Sequence, residues 1–313
     1  MTRSLRIGTR GSALALWQAN HVRDQLKRLH GVEAEIVRIR TSGDQMQTAS
    51  FTPIGAEGSA KGIFIKEIED ALLSGAVDVA VHSMKDVPTE TPAELVFSAI
   101  TRREDPRDCL ISRENRALKY LPSGARVGTS SIRRQAQLRH LRPDFQVLEL
   151  RGNVDTRMRK LAEGEYDAIV LAMAGVNRLG AADKVSQLFK TDVMLPAVGQ
   201  GALGIETRFD DTEASAWVAA LDDPETRACI TAERALLREL EGGCQVPLGA
   251  LARIANGRME MEAGVFSPDG DEAVRRIDSA GPADAEALGN RLARALIDAG
   301  ADRILRLVGR SLG

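Results

Sequence analysis

Arginine recurs in this sequence at one kind of place, the junction where a strand-like run gives way to a helical one. Ser4-Leu-Arg-Ile-Gly-Thr-Arg10 reads as a strand and Gly11-Ser12 as a turn. Leu14, Leu16, Trp17, His21, Val22, Leu26 and Leu29 then follow at helical spacing. Arg10 thereby stands at the mouth of a helix that Ser12 is placed to cap. The arrangement returns after Arg126-Val127-Gly128-Thr129, where Ser130 or Ser131 caps a helix with Arg133 and Arg134 in its first turn. It returns once more after Gln146–Leu150, where Arg151-Gly152-Asn153 turns the chain and Arg157 enters the next first turn. A cation at that position opposes the helix dipole by roughly 0.3–1 kcal/mol. Solvation, or pairing with Glu149 and Asp155, is one resolution of the conflict. The other is an anion at each helix start, where amides, dipole and guanidinium converge on it. Guanidinium groups grip planar oxyanions two bonds at a time, so three repeats favour a site for several anions.

The segment Ala76–Glu90 adds a reactive group. Val77, Val79 and Val81 make a short apolar strand, and Pro88 forbids its continuation in a central position. Lys85 and Asp86 therefore project from a strand's carboxyl end, where open α/β sheets bind ligands. A carboxylate among arginines is held ionised, and such a group stabilises a developing cation or orients a leaving ammonium. A local Lys85–Asp86 pair at a turn is the plainer alternative. His82 falls one position out of register with the apolar face and reads as a structural histidine. Of the three cysteines, Cys229 lies on an apolar helix side and Cys109 heads an apolar strand, both packing positions. Cys244, in Glu241-Gly-Gly-Cys-Gln-Val-Pro247, sits on a loop as a tethered thiol ought to. An odd number without CxxC spacing fits neither a disulfide framework nor a zinc site, and no metal is expected. Thr41–Gly62, rich in small residues and ending Ala60-Lys61-Gly62, reads either as a mobile lid carrying Lys61 or as an idle surface loop.

Positioning these groups takes more than one core, since 313 residues exceed what a single hydrophobic core organises. Eight of the 42 basic residues are lysine and the rest arginine. Residues 101–160 hold 13 Arg and 2 Lys against 7 acidic residues, although the whole chain carries a net charge of −2. A basic middle in an acidic protein indicates an anionic partner. Aromatic residues are only 4% and do not interleave with the arginines as a base-stacking platform would, which argues against nucleic acid. No apolar run is long enough to span a membrane. The opening Met-Thr-Arg-Ser-Leu-Arg-Ile-Gly offers no apolar signal core, so a cytoplasmic protein with reduced thiols is expected. Glu104–Asp108 and Val193–Glu206 read as outward and return crossings between two α/β lobes, the plan of hinged, cleft-type binding proteins. After Pro224 the pattern changes to helix, short strands with turns at Asn256-Gly257 and Pro268-Asp269-Gly270, and an amphipathic helical stretch over 283–309 interrupted near Gly300. That is a small α+β domain with an antiparallel sheet.

Seven stretches carry a resemblance that covers the chain from about residue 5 onward, in order and spacing. They are Arg10-Gly-Ser12 through Trp17-Gln18, Val81–Pro88, Arg103–Asp108, Val127–Gln135, Leu150–Val154, Leu195–Gly201 and Glu241–Pro247. Together they resemble the porphobilinogen deaminases, also called hydroxymethylbilane synthases. The resemblance implies an α/β fold of two hinged, periplasmic-binding-protein-like lobes plus a small C-terminal α+β domain with an antiparallel sheet. Lobe 1 would take 1–101 with 199–220, lobe 2 102–198, and a cofactor-attachment domain 221–313. It further implies a transferase that joins four porphobilinogen molecules head to tail, with loss of ammonia, into the linear tetrapyrrole hydroxymethylbilane. Cys244 would carry the dipyrromethane cofactor through a thioether, and Asp86 would be the catalytic carboxylate. Arg10, Ser12, Lys85, Ser130, Arg133, Arg134, Arg151, Arg157 and Arg178 would bind acetate and propionate groups of cofactor and substrate. Lys61 and Phe64 would belong to the active-site loop, although Ile54–Gly62 departs from the family's Gly-Gly-Lys-Gly ending and is a few residues longer. A monomer working without nucleic acid or membrane is expected. A non-catalytic two-lobed small-anion-binding protein is the alternative, needing neither Cys244 nor Asp86.

Overall fold

The computed structural model describes residues 4–41, 65–240 and 246–311. The chain begins with β1 (Leu5–Thr9), α1 (Ala13–His30), β2 (Ala34–Arg38), α2 (Lys66–Leu73), β3 (Val79–Ser83) and β4 (Leu95–Ile100). It continues through β5 (Asp108–Ser112), β6 (Arg126–Gly128), α3 (Ile132–Leu141), β7 (Gln146–Leu148), α4 (Val154–Ala162), β8 (Ala168–Ala172), α5 (Met173–Arg178) and β9 (Gln187–Leu188). Then come β10 (Leu203–Arg208), α6 (Thr212–Ala219) and α7 (Pro224–Glu239). The last elements are β11 (Leu248–Ala255), β12 (Arg258–Phe266), β13 (Ala273–Ala280), α8 (Ala285–Asp298) and α9 (Ala301–Ser311). Two compact units result: Met1–Glu104 with Ala202–Arg227, and Asp105–Gly201 with Ala228–Gly313. The chain passes between them within the two segments that read as crossings and again inside α7.

The first unit holds a five-stranded sheet in the order β2-β1-β3-β10-β4. β1 runs parallel to β2 and β3, whereas β10 is antiparallel to both its neighbours. β3 is central, and Val79 through His82 are all buried, as a strand covered on both faces requires. Ser12 caps α1 by accepting from the Ala15 amide at 3.3 Å, and Gly31 ends it at φ 64°, donating to the Lys27 carbonyl. The apolar spacing in α1 overstates its buried face. Gln18, Ala19, Val22 and Leu26 are buried, while Trp17, His21 and Leu29 are exposed, Trp17 and His21 stacked on one another. Gln18 replaces an apolar residue on that face because its side-chain amide donates to the Ser83 hydroxyl at 2.9 Å, so burial leaves it satisfied.

The second unit contains a five-stranded sheet in the order β7-β6-β8-β5-β9, with β6 parallel to β7 and β8, and β5 antiparallel to β8. It also contains the antiparallel sheet β11-β12-β13. The tight turn between β11 and β12 places Asn256 and Gly257 at φ 52° and 73°. Gly300, at φ 95°, separates α8 from α9 where one interrupted helix is expected. α7, α8 and α9 cover this sheet around Leu236, Met259, Met261, Val265, Leu292 and Ile304. The buried Glu233 of α7 accepts from the Gly199 amide at 2.7 Å and the Ala252 amide at 2.9 Å. One carboxylate thus ties the helix before residues 241–245 to the strand after them.

Candidate active site

In the first unit the site residues lie at one edge of the sheet. β1 and β3 are parallel neighbours in the register Ile7 to Val79 and Gly8 to Ala80, so their carboxyl ends emerge side by side. Arg10 and Ser12 follow β1, and Lys85 and Asp86 follow β3. Met84–Asp86 make a single 3-10 turn whose first amide donates to the Ala202 carbonyl and which the Val87 amide closes onto the Met84 carbonyl. Met84 and Val87 are buried, and the half-buried Lys85 and Asp86 are held between those two anchors. His82 is buried and its Nε2 lies 3.1 Å from Oε2 of the equally buried Glu206, with the Phe97 ring edge-on. It serves the sheet rather than the edge. Glu69 on α2 belongs to the same cluster: burial, then the Glu206 charge, push its carboxyl up to about 7 against the opposing pull of His82.

In the second unit the three parallel strands β7, β6 and β8 deliver their carboxyl ends to a common edge. Ser130 and the start of α3 follow β6, Arg151 and Arg157 follow β7, and Arg178 ends the helix after β8. The Ser130 hydroxyl donates to the Leu150 carbonyl and so links two of these turns. Ser131 occupies the N-cap position of α3. Arg151 is exposed and pairs with Glu149 at 2.7 Å, the local resolution that its sequence neighbourhood offers. Arg157 Nε donates to the Gly152 carbonyl at 2.7 Å, and Gly152 sits at φ 113° with Thr156 too close to admit a side chain. Arg178 donates to the Gly201 carbonyl at 2.7 Å.

Arg133 and Arg134 differ from all of these. They are 4% and 5% exposed, and both reach one fully buried carboxylate, Asp108. Arg133 Nη1 donates to Oδ2 and Arg134 Nη2 to Oδ1, each at 2.7 Å. Arg133 Nη1 also donates to the Leu195 carbonyl, and Arg134 Nη1 to the Val170 carbonyl at 3.1 Å. Burial alone would raise the Asp108 pKa, yet the two guanidinium charges and their hydrogen bonds outweigh it and hold the carboxyl well below its usual range. Two cations against one anion leave the cluster positive. The Nε atoms of both arginines are buried with no hydrogen-bond partner among the described residues. A buried pair with a net positive charge at the carboxyl ends of the strands fits an anionic ligand. Neither Asp108 nor Gln200, which donates to Asp108 Oδ1 at 2.8 Å, is marked by the arginine spacing. The signal available was a charged residue opening a wholly buried strand, which demands a partner.

Lys61, Phe64 and Cys244 lie outside the described residues, as does all of Thr41–Gly62 except Thr41. Cys109 and Cys229 are both buried, and burial pushes the Cys109 thiol up to about 12. Among the described residues no cluster of His, Cys, Asp or Glu could hold a metal ion, and no helix is long and apolar enough to cross a membrane.

Among solved structures, partial likeness is found to a methionine-binding lipoprotein from Bacillus subtilis (TM-score 0.43, 13% identity, 70% of this chain and 89% of that one). Another is a periplasmic substrate-binding protein of an ABC transporter from Coxiella burnetii (TM-score 0.44, 15% identity, 74% and 96%). Sequence similarity is far closer. The chain is 47% identical over 310 residues to a porphobilinogen deaminase of Syntrophobacter fumaroxidans, covering 99% of both. It is 50% identical over 307 residues to the corresponding protein of Pelotomaculum thermopropionicum, covering 98% of this chain and 97% of that one. The family model described as porphobilinogen deaminase, dipyromethane cofactor binding domain, matches residues 5–216, and that of the porphobilinogen deaminase C-terminal domain matches 227–298. With half its residues shared along nearly the whole length, the chain belongs to the porphobilinogen deaminase family.

Proposed function

We propose that Asp86 and the arginines at the two sheet edges perform the family's reaction in this chain. That reaction joins four porphobilinogen molecules head to tail, with loss of ammonia, into hydroxymethylbilane. Each pyrrole brings an acetate and a propionate, so substrate and product are rich in carboxylates. The observation that carries the assignment is the buried Arg133–Arg134 pair, which shares the single carboxylate of Asp108 and is positive in sum. Arg133 and Arg134 bind such a carboxylate in a site water cannot easily screen, while Ser130, Arg151, Arg157 and Arg178 extend the anion-binding edge. Arg10, Ser12 and Lys85 do the same in the first unit. Loss of ammonia leaves a cation delocalised over the pyrrole nitrogen, and the Asp86 carboxylate, fixed between Met84 and Val87, stabilises it electrostatically.

Cys244 would hold the dipyrromethane by a thioether, and Glu233 joins α7, before residues 241–245, to β11, after them. When bound, the dipyrromethane supplies the free pyrrole α-carbon to which substrate is added. Lys61 and Phe64 are assigned, from the family resemblance, to the active-site loop. In this reading the lobes are 1–101 with 199–220 and 102–198, and the cofactor-attachment domain is 221–313; a separate C-terminal family model matches residues 227–298. The chain works as a cytoplasmic monomer. Asp86→Ala tests the central assignment: it is expected to fold, to retain the covalent cofactor, and to turn over at least about 100-fold more slowly. Turnover within a few-fold of the unmutated chain would remove Asp86 from this role.

A further inference from the structure

The reading of Arg133 and Arg134 as carboxylate ligands leaves a physical problem unsolved. They are consecutive residues in the first turn of α3, both buried, and like charges so placed repel each other and the helix dipole. Left without a counter-charge, two desolvated guanidinium groups would not stay in place. The antiparallel direction of β5 supplies that charge. Because β5 pairs with β8 in the register Asp108 to Ala172, its first residue lies level with the last residue of β8. Asp108 therefore comes to the same carboxyl edge that presents the arginines. Its two oxygens are divided between them, Oδ2 to Arg133 and Oδ1 to Arg134. Gln200 adds a third donor at 2.8 Å and is itself held by the Pro106 carbonyl at 2.7 Å.

We propose that Asp108 is a positioning residue for the reaction: it cancels one of two buried charges and orients both guanidinium groups toward the carboxylates of cofactor and substrate. The inference rests on the reading of Arg133 and Arg134 given above. Each arginine bonds Asp108 and a backbone carbonyl through its terminal nitrogens, which fixes the plane of its head. One carboxylate is the number that permits this. With none, the arginines would repel; with two, the pair would carry no net charge to attract an anion.

The test compares Asp108→Asn, Asp108→Glu and Arg134→Leu in the full chain. The readouts are the fraction of protein carrying the covalent cofactor by intact mass, KM and kcat for porphobilinogen, and thermal midpoint. Asp108→Asn keeps the shape and removes the charge. It is expected to reduce cofactor loading and to raise KM by about tenfold or more, with kcat of the loaded fraction changed less than about threefold. Asp108→Glu is expected to recover most of the loading. If Asp108→Asn yields no folded protein, Gln200→Leu removes the third donor to the same carboxylate, together with the weak Arg134 Nη2 contact at 3.5 Å, and leaves both ion pairs in place. A smaller rise in KM, a few-fold, is then expected. A lowered thermal midpoint with unchanged KM and full loading would show a merely structural role and overturn the inference. If Arg134→Leu itself loads fully and keeps its KM, the carboxylate-binding reading fails first. If Arg134→Leu is impaired and Asp108→Asn is not, only the positioning role fails.

Discussion

An arginine at a helix start means different things depending on where its charge goes. Arg151 lies in water and meets Glu149, whereas Arg133 lies out of water and shares Asp108 with Arg134. Screening makes the first pair worth little, and burial makes the second one costly to break. Arg151→Leu should therefore change stability by less than about 1 kcal/mol, and Arg133→Leu should lower it by about 3 kcal/mol, as read from urea unfolding. Equal losses would contradict this ranking. The first-turn position of Arg133 and Arg134 is legible in the sequence because helix spacing and turn residues are local. Their partner is not, since Asp108 lies on a strand 25 residues upstream whose place beside β8 only the sheet order reveals.

At the scale of elements, the central strand β3 shows both what periodicity conveys and what it omits. Its valines mark it as buried, and the turn at Met84–Asp86 follows where Pro88 requires an end. His82 reads as structural from its register, but its partners, Glu206 on β10 and Glu69 on α2, come from elements brought together by tertiary packing alone. This cluster has a consequence for stability. The Glu69 carboxyl, ordinarily near 4.5, is raised toward about 7, so between those values the folded chain binds more protons than the unfolded one. Its contribution therefore falls as pH rises through that window. Glu69→Gln should flatten the decline between pH 5 and pH 8 in denaturant midpoints, and an unchanged slope would exclude Glu69 as its source. The helix α1 makes a related point: Gln18 is buried on the apolar face because its amide donates a hydrogen bond to the Ser83 hydroxyl, a contact no hydrophobic pattern encodes.

For the whole molecule, the sequence carries more of the plan than of the site. The chain passes between units twice within the stretches whose proline, glycine and charge patterns mark crossings, and a third time inside α7, where no such pattern marks it. Each five-stranded sheet has parallel strands whose carboxyl ends gather the arginines, with one antiparallel strand inserted. That insertion brings Asp108 to the edge that carries Arg133 and Arg134 in one sheet and puts Ala202 against Met84 in the other. The covalent chemistry is assigned to Cys244, beside two other cysteines that are buried. Intact mass under denaturing conditions tests this most directly. The account predicts an excess of two pyrrole units over the polypeptide, absent from Cys244→Ser, and an unmodified protein with full turnover would contradict it.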